Sequence, residues 1–341
     1  MVASGPMTRL RHESRSAAPS EANATVTEVF PKLCRVRMDD DGRILLCPYR
    51  RAQVYNREAS EVEIQERTPV AVGDRVVAKS FGSRDGVVEA VASRQNQLMR
   101  LSPGREGLQV HVLASNVDLL VIVAAARNPD FSPGLIDRFL VGAQIAGIET
   151  VICVNKMDLR EGDEAPWAIY EKIGVTVIPT SAKGEPGLGA IRDKVHGKLA
   201  VFCGHSGVGK TSILRGLLGR EVGRIGEISE STGKGKHTTT GAVFLEGADL
   251  RVIDTPGIRE FGLVGIEVEE LRLYFPDFKD VGCPSNECLH EDEEGCRARE
   301  LPRYSSYRRI LTSLREELEE RRKHATKSRA RLKPGRRSPS R

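Results

Sequence analysis

The 341-residue chain lacks several features that would place it in common protein classes. It has no run of about 18 apolar residues, so we expect no membrane span and no membrane partner. Residues 1–24 are rich in Ser, Ala, Pro and Arg and contain no apolar signal core. We expect this extension to be disordered and the protein to be cytoplasmic. Hydrophobic residues still reach 39%, which is enough for packed cores.

Acidic residues are absent from the C-terminal end, where ten Lys or Arg occur between Arg321 and Arg341. The net charge of the whole chain is only +5, so the remainder carries about −5. This segregation of charge favours contact with a polyanion such as nucleic acid. The alternative is a solvated tail that only keeps the protein soluble.

Cysteine is scarce, with seven residues in the chain. Cys34, Cys47, Cys153 and Cys203 each lie in an apolar, strand-like run. They are predicted to be buried thiols in a reducing compartment. The other three cysteines are clustered near a histidine and form a separate motif, described below.

The hydrophobic pattern divides the rest of the chain into four segments. Residues 25–97 contain short alternating strands and Asp-Gly turns, which predict an all-β OB-fold barrel. Residues 98–262 alternate apolar strands with helical stretches, which predicts a doubly wound α/β domain. Residues 263–325 predict a mostly helical zinc-binding domain that ends in a helix at 304–323. Residues 326–341 contain Pro and Gly and predict a disordered basic tail.

The strongest motif is G-x-x-x-x-G-K-[ST] at residues 204–211, between a predicted strand and a predicted helix. Its glycines let backbone N–H groups turn toward phosphates, and the helix N-terminus adds positive potential. Lys210 would reach the β- and γ-phosphates, and the Thr211 hydroxyl would bind Mg²⁺. The predicted phosphate loop comprises Gly204, His205, Ser206, Gly207, Val208, Gly209, Lys210, Thr211 and Ser212.

A second motif identifies the base of the nucleotide. The run Asn155, Lys156, Met157 and Asp158 follows a predicted strand. The Asp158 carboxylate can accept hydrogen bonds from N1–H and the N2 amino group of guanine, a donor pair that adenine lacks. Lys156 would lie over the base plane. After the next strand, Ser181 and Ala182 form a second base loop, in which the Ala182 N–H would meet guanine O6.

Two further segments are typical of GTPase switches. Asp254 and Gly257 follow a strand, so Asp254 would hold Mg²⁺ through water and the Gly257 N–H would sense the γ-phosphate. Residues 231–240 are glycine-rich and basic and suit a switch loop that orders when a Thr hydroxyl binds Mg²⁺. Thr240 is one candidate for this Mg²⁺ ligand, and Thr238 and Thr239 remain open. The alternative is that residues 231–240 form only a flexible linker.

The group that positions the attacking water is not identified by these motifs. Ile258 occupies the position where many GTPases carry Gln, so the unaided rate should be slow. Either His237 in the switch loop or a partner macromolecule would supply the missing polar group. The predicted catalytic set is therefore His237, Thr240, Asp254 and Gly257.

The motifs occur in a permuted order, because the base-reading loops precede the phosphate loop. A bound nucleotide contacts only the spatial positions at the carboxyl ends of the strands. Joining the old termini and opening the chain elsewhere therefore preserves the site. The order predicts a circularly permuted P-loop GTPase domain.

The cysteine cluster has the spacing Cys283-x₄-Cys288-x-His290-x₅-Cys296. Three thiols and one imidazole can close a tetrahedral Zn²⁺ site. Four protein ligands leave no open coordination position, so the metal would be structural rather than catalytic. Unligated thiols in a loop are the alternative.

Taken together, these motifs resemble the RsgA (YjeQ) family, the small-subunit-dependent GTPases of bacteria. The resemblance covers roughly residues 25–325 and includes the switch segment at 235–240. It implies an N-terminal OB-fold, a permuted GTPase domain and a C-terminal zinc domain. It also implies a monomeric, late-acting assembly factor that binds the immature 30S subunit and 16S rRNA and hydrolyses GTP to GDP faster there.

A hydrophobic residue at the Gln position is also a family trait. The histidine of the family's switch loop is implicated in the role that Gln has in other GTPases. Two positions depart from the family pattern: His205 stands where proline is common, and Thr211 stands where serine is common. Neither change removes a needed group, because position 205 contributes mainly backbone and Thr keeps the hydroxyl.

Two other functions are compatible with parts of the sequence. Ile258 would also suit a nucleotide-dependent RNA-binding module with negligible turnover. A permuted GTPase that serves the large ribosomal subunit would share the middle of the chain. The predicted barrel and zinc cluster argue against this second alternative.

Overall fold

The structure is a computed structural model that describes residues 16–49, 65–66, 70–104, 107–163, 165–184, 186–219, 242–247, 249–255, 263–279, 281–283, 285, 288–291 and 293–331. Among these residues, no helix has the length and apolarity required to cross a bilayer. Three sheets and a C-terminal helical unit make up this part of the chain.

The N-terminal unit is a six-stranded, mainly antiparallel sheet with the order β1-β7-β6-β2-β3-β4. An isolated bridge between Leu46 and Asp85 brings its two ends together into a partly closed barrel. Side chains alternate between buried and outward positions, so the barrel interior holds Val26, Val36 and Leu45. The strands are β1 (Ser16–Ala17), β2 (Ala24–Val29), β3 (Leu33–Met38), β4 (Ile44–Pro48), β6 (Arg75–Ser80) and β7 (Gly86–Ala92).

This unit confirms the all-β prediction and corrects two details. Ser16–Ala17 pairs with β7, although it falls in the extension predicted to be disordered. Within the segment predicted to form the barrel, β5 (Gln65–Glu66) pairs with a later strand instead of joining the barrel.

A long two-stranded ribbon connects the barrel to the central domain. It consists of β8 (Gln97–Gly104) and β9 (Gly107–Ser115), which pair antiparallel, with β5 added along β9. This ribbon was not predicted from the sequence, and it spans the boundary predicted at 97/98. The boundary therefore falls where one strand begins and not within an extended linker.

The junction between barrel and central domain is held by a buried polar network. The Asp74 carboxylate accepts hydrogen bonds from Arg94 Nε at 2.7 Å and Ser115 Oγ at 2.7 Å. Gly73 has φ +93°, and a Cβ there would lie 2.2 Å from the Ser115 carbonyl oxygen. At the surface, Arg37 of β3 forms an ion pair with Glu246 of the central sheet at 3.1 Å. The two units are therefore joined by tight packing as well as by the chain.

The central sheet has six strands in the order β12-β11-β10-β13-β15-β14, all parallel except the edge strand β14. The central strand β10 is buried along its whole length, as its continuous apolar sequence predicts. The strands are β10 (Leu119–Ala125), β11 (Glu149–Asn155), β12 (Thr176–Pro179), β13 (Leu199–Cys203), β14 (Val243–Gly247) and β15 (Leu250–Asp254).

Helices cover both faces of this sheet, which confirms the α/β prediction. One face packs against α1 (Pro133–Ala146) and α2 (Ala168–Glu171), through residues such as Phe139 and Tyr170. The other face packs against α3 (Gly189–Val195) and α4 (Lys210–Leu218), through Ile191 and Ile213. The four cysteines predicted to be buried, Cys34, Cys47, Cys153 and Cys203, are all fully buried.

The C-terminal unit contains short 3₁₀ helices, the cysteine cluster and the long helix α5 (Tyr304–Arg331). Its core includes Phe275, Phe278 and Tyr307, with Val141 of α1. A second contact with α1 is polar, because Arg138 donates to Ser313 and Glu317 of α5. The helix was predicted to end at 323, and residues 326–331 were assigned to a disordered tail. In the structure these residues are helical.

Candidate functional site

The predicted nucleotide motifs converge at the carboxyl edge of the central sheet. The phosphate loop follows β13, the two base loops follow β11 and β12, and Asp254 ends β15. Parallel strands bring these loops together although the chain visits them in permuted order. This arrangement is the open edge at which doubly wound sheets bind ligands.

The phosphate loop turns tightly because three of its glycines have positive φ. Gly204 has φ +139° and Gly209 has φ +98°, and a Cβ at either would lie about 2 Å from a neighbouring atom. For Gly204 that atom is the Val123 carbonyl oxygen, and for Gly209 it is Asn155 Nδ2. Gly207, with φ +84°, has open space around it except for Pro129 Cδ at 3.8 Å. Two of the three glycines are therefore required by close packing as well as by backbone conformation.

The side chain of Asn155 connects three loops of the site. Its Nδ2 donates to the Val208 carbonyl at 2.9 Å, and its Oδ1 accepts from the Ala182 N–H at 3.1 Å. The residue is only 1% exposed, so these bonds satisfy its buried amide. Asn155 thus fixes the phosphate loop against both base loops. The Ala182 N–H that was predicted to meet guanine O6 is bonded to Asn155 in this structure.

The predicted base-reading groups surround the outer part of the site. Ser181 Oγ donates to Asp158 Oδ1, which orients the carboxylate while leaving its second oxygen available. Lys156 has a left-handed backbone (φ 63°), and its Nζ donates to the Asn128 carbonyl in the loop between β10 and α1. Asp158 is exposed, so its carboxylate is accessible to a ligand.

A single open cavity of about 750 Å³ joins these groups. This volume lies in the range of small-molecule sites, so a nucleotide can be accommodated. Its described lining consists of Asn155, Lys156, Asp158, Leu159, Ala182, Lys183, Gly204, His205, Ser206, Gly207, Gly209, Lys210, Thr211, Ser212 and Asp254.

The Lys210 ammonium lines the part of this cavity that is predicted to bind phosphate. Its Nζ donates to the Gly204 carbonyl at 2.7 Å and to the His205 carbonyl at 3.2 Å. Burial lowers the pKa of Lys210, while the nearby Cys203 thiol and Asp254 carboxylate act in the opposite direction. A partly desolvated cation beside an N-terminal helix turn is well placed for an anionic ligand.

Not every predicted residue lines the cavity. Met157 packs against the hydrophobic core, Val208 is buried in the opposite core, and Ser181 acts through Asp158. Of the predicted catalytic set, Asp254 is described and lines the cavity. His237, Thr240 and Gly257 lie outside the described residues, as do Thr238 and Thr239.

Three features of the site were not predicted from the sequence. Leu159 and Lys183 line the cavity beside the base-reading residues. The loop after β10 also reaches the site, through the Asn128 carbonyl and Pro129. Its position after a central parallel strand, with an Asn-Pro turn, is the signal that could have identified it.

The Cys3His cluster has the geometry of a metal site. His290 Nδ1 lies 3.3 Å from Cys283 Sγ and 3.5 Å from both Cys288 Sγ and Cys296 Sγ. The Cys283 and Cys296 sulfurs are 3.8 Å apart. Tetrahedral Zn²⁺ with Zn–S of about 2.3 Å and Zn–N of about 2.0 Å requires S···N near 3.5 Å and S···S near 3.8 Å. The four ligand atoms therefore fit one tetrahedral ion.

The backbone around the cluster is held by bonds to the rest of the unit. Glu293 accepts from the Leu289 and Glu291 N–H groups, both at 2.7 Å. The hydroxyls of Tyr304 and Tyr307 on α5 donate to the Glu291 and Leu289 carbonyls. Burial, with the charge of Arg272, lowers the pKa of His290, which favours the neutral imidazole that binds metals. The cluster is thus built for one metal ion and fastened to α5.

Comparison with known proteins gives a consistent result. Residues 91–264 match the family model described as RsgA GTPase. The chain is 38% identical over 266 residues to the small ribosomal subunit biogenesis GTPase RsgA of Pseudomonas putida, covering 73% of this chain and 76% of that protein. It is 37% identical over 267 residues to the protein of the same name from Chlorobaculum parvum, covering 72% and 86%.

Solved structures show the same fold. The crystal structure of YjeQ from Thermotoga maritima superposes with a TM-score of 0.60 at 28% identity, covering 86% of this chain and 98% of that one. YloQ, described as a circularly permuted GTPase, gives a TM-score of 0.58 at 26% identity, covering 90% and 98%. The predicted resemblance is therefore confirmed, and so is the permuted fold. The chain belongs to the RsgA GTPase family and is a GTP hydrolase.

Proposed function

We propose that this GTPase acts on the small ribosomal subunit as a late assembly factor that binds 16S rRNA in the bacterial cytoplasm. One observation carries the proposal: the base loops, phosphate loop and Asp254 form one cavity in a chain whose relatives are named for small-subunit biogenesis. The N-terminal barrel, the C-terminal unit and the ten basic residues between Arg321 and Arg341 would supply rRNA contacts, largely through phosphates.

Guanine would be selected by the Asp158 carboxylate, which Ser181 orients. A carboxylate accepts from guanine N1–H and the N2 amino group, and adenine would leave it unpaired. The aliphatic stem of Lys156 would cover the base. Its ammonium would either keep the hydrogen bond to the Asn128 carbonyl or leave it. The Ala182 N–H would reach guanine O6 only by sharing or exchanging its bond to Asn155.

The phosphates would lie against the N-terminus of α4 and the phosphate loop. Lys210 would exchange the Gly204 and His205 carbonyls for phosphate oxygens. Mg²⁺ suits Thr211 and Asp254, because a hydroxyl and a carboxylate oxygen line the same cavity. The ion would neutralise charge that develops on the phosphates during hydrolysis.

Water activation would come from the switch loop or from the subunit. Ile258 cannot orient water, and His237 in the switch loop is the polar candidate that the family resemblance indicates. Thr240 and the Gly257 N–H would complete the γ-phosphate sensor. Replacing His237 with Ala should strongly reduce turnover on the subunit, and an unchanged kcat would remove His237 from the mechanism.

The Cys3His cluster would hold one Zn²⁺ with a structural role. All four protein ligands point at one centre, so no coordination position remains for substrate. The metal would supply cohesion to a small unit that has limited apolar core of its own.

The proposal is tested by phosphate release from GTP with purified 30S subunits, with 50S subunits and with neither. Stimulation by 30S alone is expected. Stimulation by 50S alone, or none at low salt, would contradict the small-subunit role. Asp158→Asn is a control for base recognition. An Asn amide should pair with xanthine instead of guanine, so the variant should bind xanthosine nucleotides in place of guanosine nucleotides.

A further inference from the structure

One exposed aromatic residue of the barrel is not used by the nucleotide site. Phe81 lies in the turn between β6 and β7 and is 67% exposed. Four large hydrophobic residues are exposed in the described part of the chain, and Leu159 among them lines the nucleotide cavity. Phe81 is the aromatic member of this group, so its exposure calls for a separate explanation.

The turn that carries Phe81 is held by three hydrogen bonds. The Phe81 N–H donates to the Asp85 carbonyl at 2.9 Å, and Ser80 Oγ donates to the Gly82 carbonyl at 2.7 Å. The Leu46 N–H of β4 donates to the Arg84 carbonyl at 2.8 Å. The backbone under the ring is therefore fixed to two strands before any partner binds, which reduces the entropy lost on binding.

The surroundings of the ring combine positive charge with little apolar area. Lys79 and Arg84 are exposed, and within the described residues neither forms an ion pair. Asp85 is the one acidic side chain in the turn itself, so the segment keeps a net positive charge. Leu46 on the neighbouring strand is the only other exposed large hydrophobic residue of the barrel among the residues described.

This combination favours a single-stranded nucleic acid over an apolar protein surface. A flat ring stacks on any base, and flanking cations contact the phosphates on either side. A protein partner would be expected to bury a broader apolar patch than one ring and one partly exposed leucine.

We propose that Phe81 stacks on an unpaired base of RNA, while Lys79 and Arg84 contact the adjoining phosphates. The inference rests on the proposed function, because the rRNA of the small subunit is the expected source of that base. The turn between β6 and β7 would then be an RNA-contacting element of the barrel.

Substitutions at Phe81 in the full-length protein test the stacking. Binding to purified 30S subunits should weaken about tenfold for Phe81→Ala and for Phe81→Leu, because neither retains an aromatic face. Phe81→Tyr should bind like the unaltered protein. Leu273→Ala is the matched control, since Leu273 is 72% exposed but lies beside Glu269 and Glu270 in the C-terminal unit. It should leave binding unchanged.

A fluorescence measurement tests the contact directly. Trp167 is the only tryptophan of the chain and is buried, so Phe81→Trp adds one exposed reporter. Titration with an oligouridylate of about 12 nucleotides should quench the introduced indole. Leu273→Trp should not be quenched. In the double variant Lys79→Gln with Arg84→Gln, the affinity should depend less steeply on salt concentration.

Several outcomes would overturn the inference. If Phe81→Ala binds and is stimulated like the unaltered protein, Phe81 has no role in the complex. If Phe81→Leu retains full affinity and the introduced indole is not quenched by RNA, the ring contacts a protein surface instead. If the unaltered protein itself is not stimulated by 30S subunits but the indole is quenched, the proposed function fails while the RNA contact stands.

Discussion

Arg303 and Asp137 form a buried ion pair that joins the C-terminal unit to the GTPase domain. Arg303 Nε donates to Asp137 Oδ1 at 2.8 Å, and both side chains are almost completely shielded from solvent. The same guanidinium donates to Asp277 at 2.6 Å and lies 4.6 Å from the centre of the Phe275 ring. Burial raises the pKa of Asp137, and the Arg303 charge opposes that rise. The pair thus fastens α1 to the start of α5.

Arg303→Met should lower the free energy of unfolding by about 3–5 kcal/mol. The reason is that Asp137 would remain buried without its cation. Denaturant unfolding of the full chain measures the loss, and hydrogen exchange should show weaker protection in both α1 and α5.

Lys198→Gln is the control for this prediction. Lys198 pairs with Glu149 at 2.6 Å, but both side chains are about one third to one half exposed. The expected loss is under about 1 kcal/mol. A loss of that size for Arg303→Met as well would show that the buried pair does not stabilise the junction.

Gly209→Ala should disrupt nucleotide binding much more than Gly207→Ala. Both positions have positive φ, so both substitutions introduce backbone strain. Only at Gly209 would the methyl also collide with Asn155, whose amide joins the phosphate loop to the base loops. GDP affinity measured by calorimetry should fall at least about tenfold further for Gly209→Ala. Equal losses would mean that the Asn155 contacts do not matter for binding.

Nucleotide binding should take up a proton at alkaline pH. Burial lowers the pKa of Lys210 from 10.5, so between the lowered value and 10.5 part of the empty protein holds a neutral amine. Phosphate favours the charged form, so the affinity should fall as pH rises through the lowered pKa. By the same linkage, the empty folded state gains stability as pH rises through that value, because the unfolded lysine still binds its proton.

Calorimetry with GDP in two buffers of different ionisation enthalpy, repeated at pH values stepped up toward 10.5, measures this uptake. Lys210→Met should remove the Lys210 contribution together with most of the affinity, leaving only the proton that guanine N1 itself takes up in this pH range. Lys183→Met is the matched control, because Lys183 lines the same cavity but is exposed. Identical heats in both buffers for the unaltered protein would contradict the prediction.

Cys288→Ala should remove a metal ion and loosen the C-terminal unit. Elemental analysis of the unaltered protein should give one zinc per chain, because four ligand atoms fit one tetrahedral ion. Hydrogen-exchange protection near Tyr304 and Tyr307 should fall, since these residues bind the backbone of the cluster. Cys34→Ala, in the barrel, should retain the zinc. A metal-free unaltered protein with a stable α5 would refute the structural role.

Much of the architecture follows from local pattern. The apolar run of β10 predicted a strand covered on both faces, and it is buried throughout. The alternating burial of β3 was equally visible in its sequence. The phosphate loop and the Cys3His cluster could be proposed from the sequence because their chemistry fixes residue types at short spacings.

Features that depend on distant contacts were not predictable. Asn155 bonds to residues 53 and 27 positions away in the chain, so its bridging role needs the folded sheet. In the ribbon, β9 alternates apolar and polar residues from Leu108 to Val112, but its pairing with β8 and β5 could not be read from that pattern alone. The helix α5 continues to Arg331 after its apolar stripe ends, because Glu, Arg, Lys and Ala favour helix without any partner.

The length of α5 has a mechanical consequence. Arg303, Ser313 and Glu317 all bind side chains of α1, so the first half of α5 is fixed to the GTPase domain. The part of the helix beyond Glu317 spans roughly 21 Å at 1.5 Å per residue. A tilt of about 5° at Glu317 would displace the far end by about 2 Å, so a small angular change at α1 becomes a larger shift at the tip of the helix.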